Sequence, residues 1–382
     1  MAELTATIIT YNEEQNIQAC LENLTWVKEI VVVDSGSSDR TLEICRGYTD
    51  KVFLNPWPGH VQQKNVAISL ATHDWILSID ADERVPVELR EAIDRELSAP
   101  CHAGYCITRR NYFLGRWMRH GGWYPDRVLR LFDRRKGQFG GLNPHDRVVI
   151  SDGSIGVIDG HLIHLTYRDF SQYLRKQDWY TGISAEGRVS RGRRPGSVTR
   201  AELALRALVK FMQVYLLKRG FLDGMPGLIA AVGAAYFNFI KYAKVWELGA
   251  HAERAPRSEE RRYDETTLEA PIIGGAGGIM RNPIDHFAGL TVHRRLKEID
   301  IQTVYAERET MARRLRVGWL DVTLRPAVTF FKIYLLKQGF RDGLHGLVYA
   351  TLASFYTFVR YAKAWELLRE GQLSVKADNL FD

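Results

Sequence analysis

The sequence predicts an α/β fold: a domain built on a mainly parallel sheet, followed by a duplicated α-helical region. Three observations carry this reading. Short β-branched runs alternate with helix-patterned segments in the N-terminal part. Several of those runs end in clusters of polar residues. A 43-residue segment of the C-terminal part occurs twice.

The elements follow in order. "LTATIIT" (4–10) and "EIVVVD" (29–34) are β-branched runs that read as strands. Between them "NEEQNIQACLENL" sets Ile17, Leu21 and Leu24 at helical spacing. "TLEICRGY" (41–48) predicts a second helix and "KVFLN" (51–55) a third strand. "GHVQQKNVAISLAT" (59–72) predicts a helix with Val61, Asn65 and Ile68 on one side, and "DWILSID" (74–80) a fourth strand. Strands joined by short helical links form parallel sheets covered on both faces. Ligands bind such sheets beyond the carboxyl ends of the strands. Three of these ends are polar: Thr10-Tyr11-Asn12-Glu13, Asp34-Ser35-Gly36-Ser37 and Asp80-Ala81-Asp82. One crevice lined by them is the expected site.

Composition bounds the class. The chain has 382 residues, 46% hydrophobic and 25% charged, which is the range of a folded protein with room for two domains. Its net charge of +7 suits nucleic acid, nucleotide phosphates or an anionic membrane without choosing among them. No nucleic-acid motif supports the first. The four cysteines, Cys20, Cys45, Cys101 and Cys106, stand at no zinc spacing and point to a reducing compartment. "MAELTATIITYNEEQN" lacks a basic and then apolar leader, which argues against a secretory signal. The longest nearly apolar stretch, Met225 to Ile240, is shorter than the roughly 20 residues that span a bilayer.

Asp80, Asp82 and Glu83 crowd the end of the fourth strand, where their charges repel. Two carboxylates one residue apart on such a turn can face one divalent cation, and hard oxygen ligands suit Mg²⁺ or Mn²⁺. The alternative is a solvated acidic turn capping the helix near "PVELREAI". The two other polar strand ends favour the metal.

At this point the motifs carry a resemblance. "TIITYNEEQNI", "VVVDSGSSDRT", "QQKNVA" and "WILSIDADE" resemble the inverting glycosyltransferases of family 2, whose nucleotide-sugar domain is the GT-A fold. "WPGHVQQKN", "WYPDRVLRLF", "HDRV" and "GFLDGMPGL" are similar to the subgroup that adds sugars to lipopolysaccharide core. The resemblance covers about residues 1 to 248. It implies that Tyr11, Asn12 and Glu13 line the nucleotide, that Asp34 accepts from the base, and that Lys64 lies near base or phosphate. It implies that Asp80 reaches ribose or metal and that Asp82 is the principal metal ligand. In "PHDRV" it puts the catalytic base at Asp146, where many relatives carry a glutamate. A histidine after the base strand often completes the metal site in such enzymes; His161 and His164 are the candidates here.

The C-terminal part is duplicated. "RALVKFMQVYLLKRGFLDGMPGLIAAVGAAYFNFIKYAKVWEL" (206–248) recurs at an offset of 119 as "RPAVTFFKIYLLKQGFRDGLHGLVYATLASFYTFVRYAKAWEL" (325–367), identical at 22 of 43 positions. Upstream, "HLIHLT" (161–166) faces "HFAGLT" (286–291), so the second copy keeps His161 as His286 but has Gly289 for His164. A copy without its own D-x-D domain is free to shed chemical residues, which favours His164 as the metal ligand. The repeats interleave aromatic, aliphatic and basic residues, a pattern that suits an anionic membrane surface. A helical core or a dimer contact is the competing reading.

The domains read as follows: 1–200 the GT-A domain, 201–248 the first amphipathic repeat, 249–284 a linker, 285–370 the second, degenerate copy, and 371–382 a tail. The expected function is transfer of a hexose, from a UDP-sugar, to a membrane-associated glycan or glycolipid such as lipopolysaccharide core. Its expected place is the inner face of the cell membrane. Two alternatives stand beside it. A sugar-nucleotide nucleotidyltransferase needs a Gly-rich phosphate loop where this chain has "YNEEQN". A non-catalytic membrane scaffold leaves the D-x-D and Asp146 without a purpose.

Overall fold

A computed structural model describes residues 3–142, 145–167, 169–192, 197–254, 291–312 and 317–378. Most of the linker 249–284, and His286 and Gly289, lie outside the described residues. The chain divides into two compact units, residues 1–172 with 211–232, and residues 173–210 with 233–382.

The first unit holds the sheet. In chain order its elements are β1 (Leu4–Thr10), α1 (Ile17–Glu22), β2 (Glu29–Asp34), α2 (Thr41–Arg46), β3 (Val52–Leu54), α3 (His60–Ser69), β4 (Trp75–Ser78), β5 (Glu83–Arg84), α4 (Val87–Ser98), β6 (Gly104–Phe113), β7 (Arg116–Trp117), β8 (Asp126–Asp133), β9 (Gly137–Leu142), β10 (His145–Ile150) and β11 (Ile155–His164). The sheet order is β3-β2-β1-β4-β8-β6-β11-β5, with β7 on β6 and β9–β10 a separate hairpin. The four strands read from sequence are parallel neighbours. β8 runs antiparallel to both β4 and β6.

β2 is an apolar run from Ile30 to Val33 and β1 alternates apolar residues with buried threonines, because both faces of each strand are covered. Ala6, Ile8 and Val32 meet Ile17 and Leu21 of α1 on one side. Val31 and Val33 meet Ala67 of α3 on the other. Helix α1 is shorter than its periodicity implies, since Asn12 takes a left-handed turn (φ 53°) and Glu13 O accepts from the amides of Asn16 and Ile17. The parallel register pairs Thr10 with Asp34 and Thr7 with Ser78, so the polar strand ends finish at one level.

Two further pairings complete the site. β5 directly follows the D-x-D turn and pairs antiparallel with the end of β11, His164 opposite Glu83. Asn65 of α3 exchanges two hydrogen bonds of 2.9 Å with the backbone of Phe139, which docks the β9–β10 hairpin on that helix.

The second unit is helical: α5 (Phe170–Ser190), α6 (Arg200–Met212), α7 (Gly224–Arg254), α8 (Val292–Ala312), α9 (Trp319–Phe331) and α10 (Gly343–Asp378), with α5 to α7 shared at their ends with the first. The duplication includes α5 and α8. Lys244 of α7 is buried and donates to Asp178 O (2.7 Å), Asp178 Oδ1 (2.5 Å) and Thr181 Oγ1 (3.0 Å) of α5. Its equivalent Lys363 of α10 donates to Asp300 O (2.9 Å) and Asp300 Oδ1 (2.7 Å) of α8. Each aspartate also takes a basic partner from the other copy: His293 on Asp178 at 2.5 Å and Arg175 on Asp300 at 3.0 Å. The equivalent rings of Tyr236 and Phe355 touch each other, centroids 4.8 Å apart. Equivalent residues in mutual contact are the mark of a two-fold arrangement.

Breaking a buried pair strands the remaining charge and costs about 3 kcal/mol or more. Lys244→Met and Lys363→Met should each lower stability by about that amount in urea titrations. A loss below about 0.5 kcal/mol, the size of an ordinary surface change, would show that the lysines are dispensable.

Candidate active site

The carboxylates crowded at the end of β4 are sorted by one buried guanidinium. Arg130 of β8 reaches Asp80 Oδ2 and, at 2.7 Å, Glu83 Oε1 through Nη2. Glu83 is fully buried, takes Arg109 Nη1 at 3.4 Å, and accepts the Asp80 amide at 3.0 Å. Burial opposes the charge on Asp80, but Arg130 and Lys64 outweigh it and hold the carboxyl well below its usual range. Burial likewise opposes the charge on Arg130, and Asp80 and Glu83 together raise its pKa instead.

Lys64 joins two predicted residues. Its buried ammonium lies 3.2 Å from Asp80 Oδ1 and 2.9 Å from Asp146 Oδ2. The docked hairpin brings Asp146 there. Asp146 is thereby paired with Lys64 across 82 residues of sequence.

Asp82 meets His164. His164 Nε2 stands 3.5 Å from Asp82 Oδ2. The other ring nitrogen, Nδ1, is 2.7 Å from Asn111 Oδ1. The orientation of Asn111 is set by its amide nitrogen, which donates to Trp123 O (3.0 Å) and Asp126 Oδ2 (2.9 Å). Its oxygen therefore faces His164, so Nδ1 donates to it, and that bond fixes the ring with Nε2 toward Asp82. An imidazole nitrogen and a carboxylate oxygen at that distance can share a divalent cation. Among the described residues no three His, Cys, Asp or Glu side chains gather as a metal cluster. The fit is thus a two-ligand one at Asp82 and His164, and Asp80's oxygens lie on Lys64 and Arg130. His161 has both ring nitrogens engaged, by Arg110 (3.2 Å) and Tyr124 (3.1 Å).

The β1 and β2 ends brace each other. Asn12 N donates to Ser37 Oγ and Asn12 Oδ1 accepts from Ser38 N, both at 2.8 Å. Glu13 N donates to Thr41 Oγ1 at 2.8 Å. Asp34 is fully buried and accepts from Gly36 N, Ser37 N and Ser37 Oγ, so both its oxygens shape its own turn. Tyr11 stands 59% exposed at the rim, a free ring face.

A cavity of about 300 Å³ opens beside His164, lined also by Arg109, Asn111, Gly122, Trp123 and Asp126. Arg109 and Asp126 pair across it at 2.7 Å. Arg109, Asn111 and Arg130 were not read from the sequence as site residues. The available signal was a charged or amide side chain inside a strand whose neighbours are apolar, as in "DRVLRLF".

Arg130→Met should cost about 3 kcal/mol at pH 7, because Glu83 and Asp80 lose the cation that neutralises them. Asp80 has a lowered folded pKa, so its contribution is full above the ordinary carboxylate range near pH 4 and fades as pH falls through the folded value. The gap between wild type and variant should narrow below about pH 4 in denaturation curves. A gap that stays constant from pH 7 to pH 3 would contradict this pairing.

Comparison with known proteins gives the family. Residues 5–153 match the description "Glycosyl transferase family 2". The lipopolysaccharide core biosynthesis glycosyltransferase LpsC of Rhizobium meliloti is 30% identical over 66% of this chain and 94% of its own length. An uncharacterized glycosyltransferase of Rickettsia bellii is 26% identical over 71% of this chain and 95% of its own. The S. aureus TarS 1–349 crystal structure aligns at 15% identity with a TM-score of 0.33, over 66% of this chain and 87% of that one. Nearly the whole of LpsC thus finds its counterpart in two thirds of this sequence, and the chain belongs to glycosyl transferase family 2.

Proposed function

We propose that this glycosyltransferase moves a hexose with inversion from a UDP-sugar to a hydroxyl of a lipid-linked glycan, of the lipopolysaccharide-core kind, at the inner face of the cell membrane. The name of the LpsC relative supports the acceptor class. The observation that carries the site is the Asn111-fixed His164 ring, whose Nε2 faces Asp82.

In this reading Asp82 and His164 are the side chains that would hold Mg²⁺ or Mn²⁺, which when bound would supply positive charge beside the leaving diphosphate. Asp80 closes the nucleotide side of the crevice, where Lys64 offers an ammonium to phosphate oxygens. Tyr11 gives the base a ring to stack on, and Asn12, Glu13 and Asp34 hold the two loops that frame it. The acceptor hydroxyl enters by the cavity beside His164. Asp146 takes its proton as the oxygen bonds to the anomeric carbon and the bond to the diphosphate breaks. Nucleoside diphosphate leaves.

The test is a screen of nucleotide sugars for nucleotide release with a lipid-extract acceptor. Asp82→Asn should fold and lose transfer, since a ligand charge is removed where leaving-group charge develops. Undiminished wild-type turnover in EDTA would remove the metal from the reading. Asp146→Asn should lower kcat by about 10²-fold or more with donor affinity nearly unchanged. Wild-type kcat in that variant would move the base to Asp126, which lines the same cavity.

A further inference from the structure

The two copies of the repeat are a comparison built into one chain. Each ends its shorter helix in a π-helical turn (Gln213–Leu217, Lys332–Leu336), passes through a left-handed residue (Arg219 φ 56°, Gln338 φ 58°), makes a 3-10 turn, and enters the long helix at a left-handed glycine (Gly224 φ 67°, Gly343 φ 65°). Some shared residues follow from that geometry. A Cβ on Gly227 would lie 2.0 Å from Gly220 O, and one on Gly346 would lie 1.8 Å from Gly339 O. Glycine is the residue those positions admit.

Another set of shared residues has no such reason. Leu217 and Leu336 are equivalent and stand 79% and 80% exposed. Leu216 and Leu335, and Phe221 and Phe340, are exposed equivalents too. The copies differ at 21 of 43 positions, so drift has had room to replace solvated leucines. Single exposed apolar residues are ordinary, but the same row kept bare twice marks a contact surface. In the second copy the row continues along α9 at helical spacing through Leu320, Leu324, Val328 and Phe331, all exposed.

We propose that these turns are shallow insertion tips for an anionic lipid surface. The charge argues for lipid: Lys218 and Arg219 follow Leu217, and Lys337 and Arg341 follow Leu336, all exposed. Leucine and phenylalanine tips with a cationic rim suit the boundary between headgroups and acyl chains. Among the described residues one stretch, Gly220–Leu248, is long and apolar enough to cross a bilayer, further than the Met225 to Ile240 core of it suggests, but 61% of its apolar 18-residue window is buried in the fold.

The first tip is fastened to the catalytic unit. Gly121 N donates to Lys218 O at 2.7 Å, and Asp223 accepts from the amides of Arg119 (3.2 Å) and His120 (2.7 Å). Gly121 and Gly122 wall the cavity beside His164. A tip seated in lipid therefore holds that mouth at the membrane. This deepens the proposed function, resting on its lipid-borne acceptor. The second copy adds another contact on the same chain, and tethered contacts multiply.

The test is co-sedimentation of the full-length protein with phosphatidylglycerol/phosphatidylcholine vesicles and with pure phosphatidylcholine vesicles. Wild type should bind the anionic vesicles at least tenfold more tightly. Leu217→Glu and Leu336→Glu should each weaken binding several-fold and the double variant at least tenfold, with unchanged melting temperature and donor binding. Undiminished anionic binding by the double variant, or equal binding to neutral vesicles, would overturn the proposal. So would a wild-type dimer in light scattering that the double variant converts to monomer, since the row would then be a contact between copies. If no donor is turned over but vesicle binding falls as stated, the catalytic reading fails and the lipid surface stands.

Discussion

A buried guanidinium at the end of the central strands is the constraint on which the site depends. Three carboxylates leave β4 within four residues, and a sheet cannot bury them uncompensated. Arg130 on the antiparallel neighbour β8 takes two of them, Asp80 and Glu83. That division of labour leaves Asp82 turned toward His164. The strand that supplies the cation lies directly beside β4, where β8 enters the sheet antiparallel.

From that anchor the rest follows by short links. Glu83 sits on β5, whose pairing with β11 delivers His164. Lys64 ties Asp80 to Asp146 and so couples the sheet to the hairpin. The hairpin itself is held to α3 by Asn65. One helix thus presents both the ammonium and the residue that positions its partner.

The parallel half of the sheet was legible because buried strands announce themselves as β-branched runs, and because polar strand ends are rare enough to notice. The face of Val61, Asn65 and Ile68 on α3 was also legible, and it is the face that meets Phe139. What sequence did not give was pairing across distance. Nothing local to "DRVLRLF" tells that Arg130 is the cation of the D-x-D turn. Nothing local to "RRNYF" tells that Asn111 orients a histidine 53 residues away. The duplication was plain over 43 residues, whereas its extension into α5 and α8 is carried by the Lys–Asp clasp rather than by overall identity.

The most direct measurement is the anomalous scattering of crystals grown with Mn²⁺ and a nucleoside diphosphate. The account predicts one strong peak between Asp82 and His164 Nε2, within ligand distance of both, beside the diphosphate. A peak elsewhere, or a diphosphate bound without any metal between those two side chains, would contradict it.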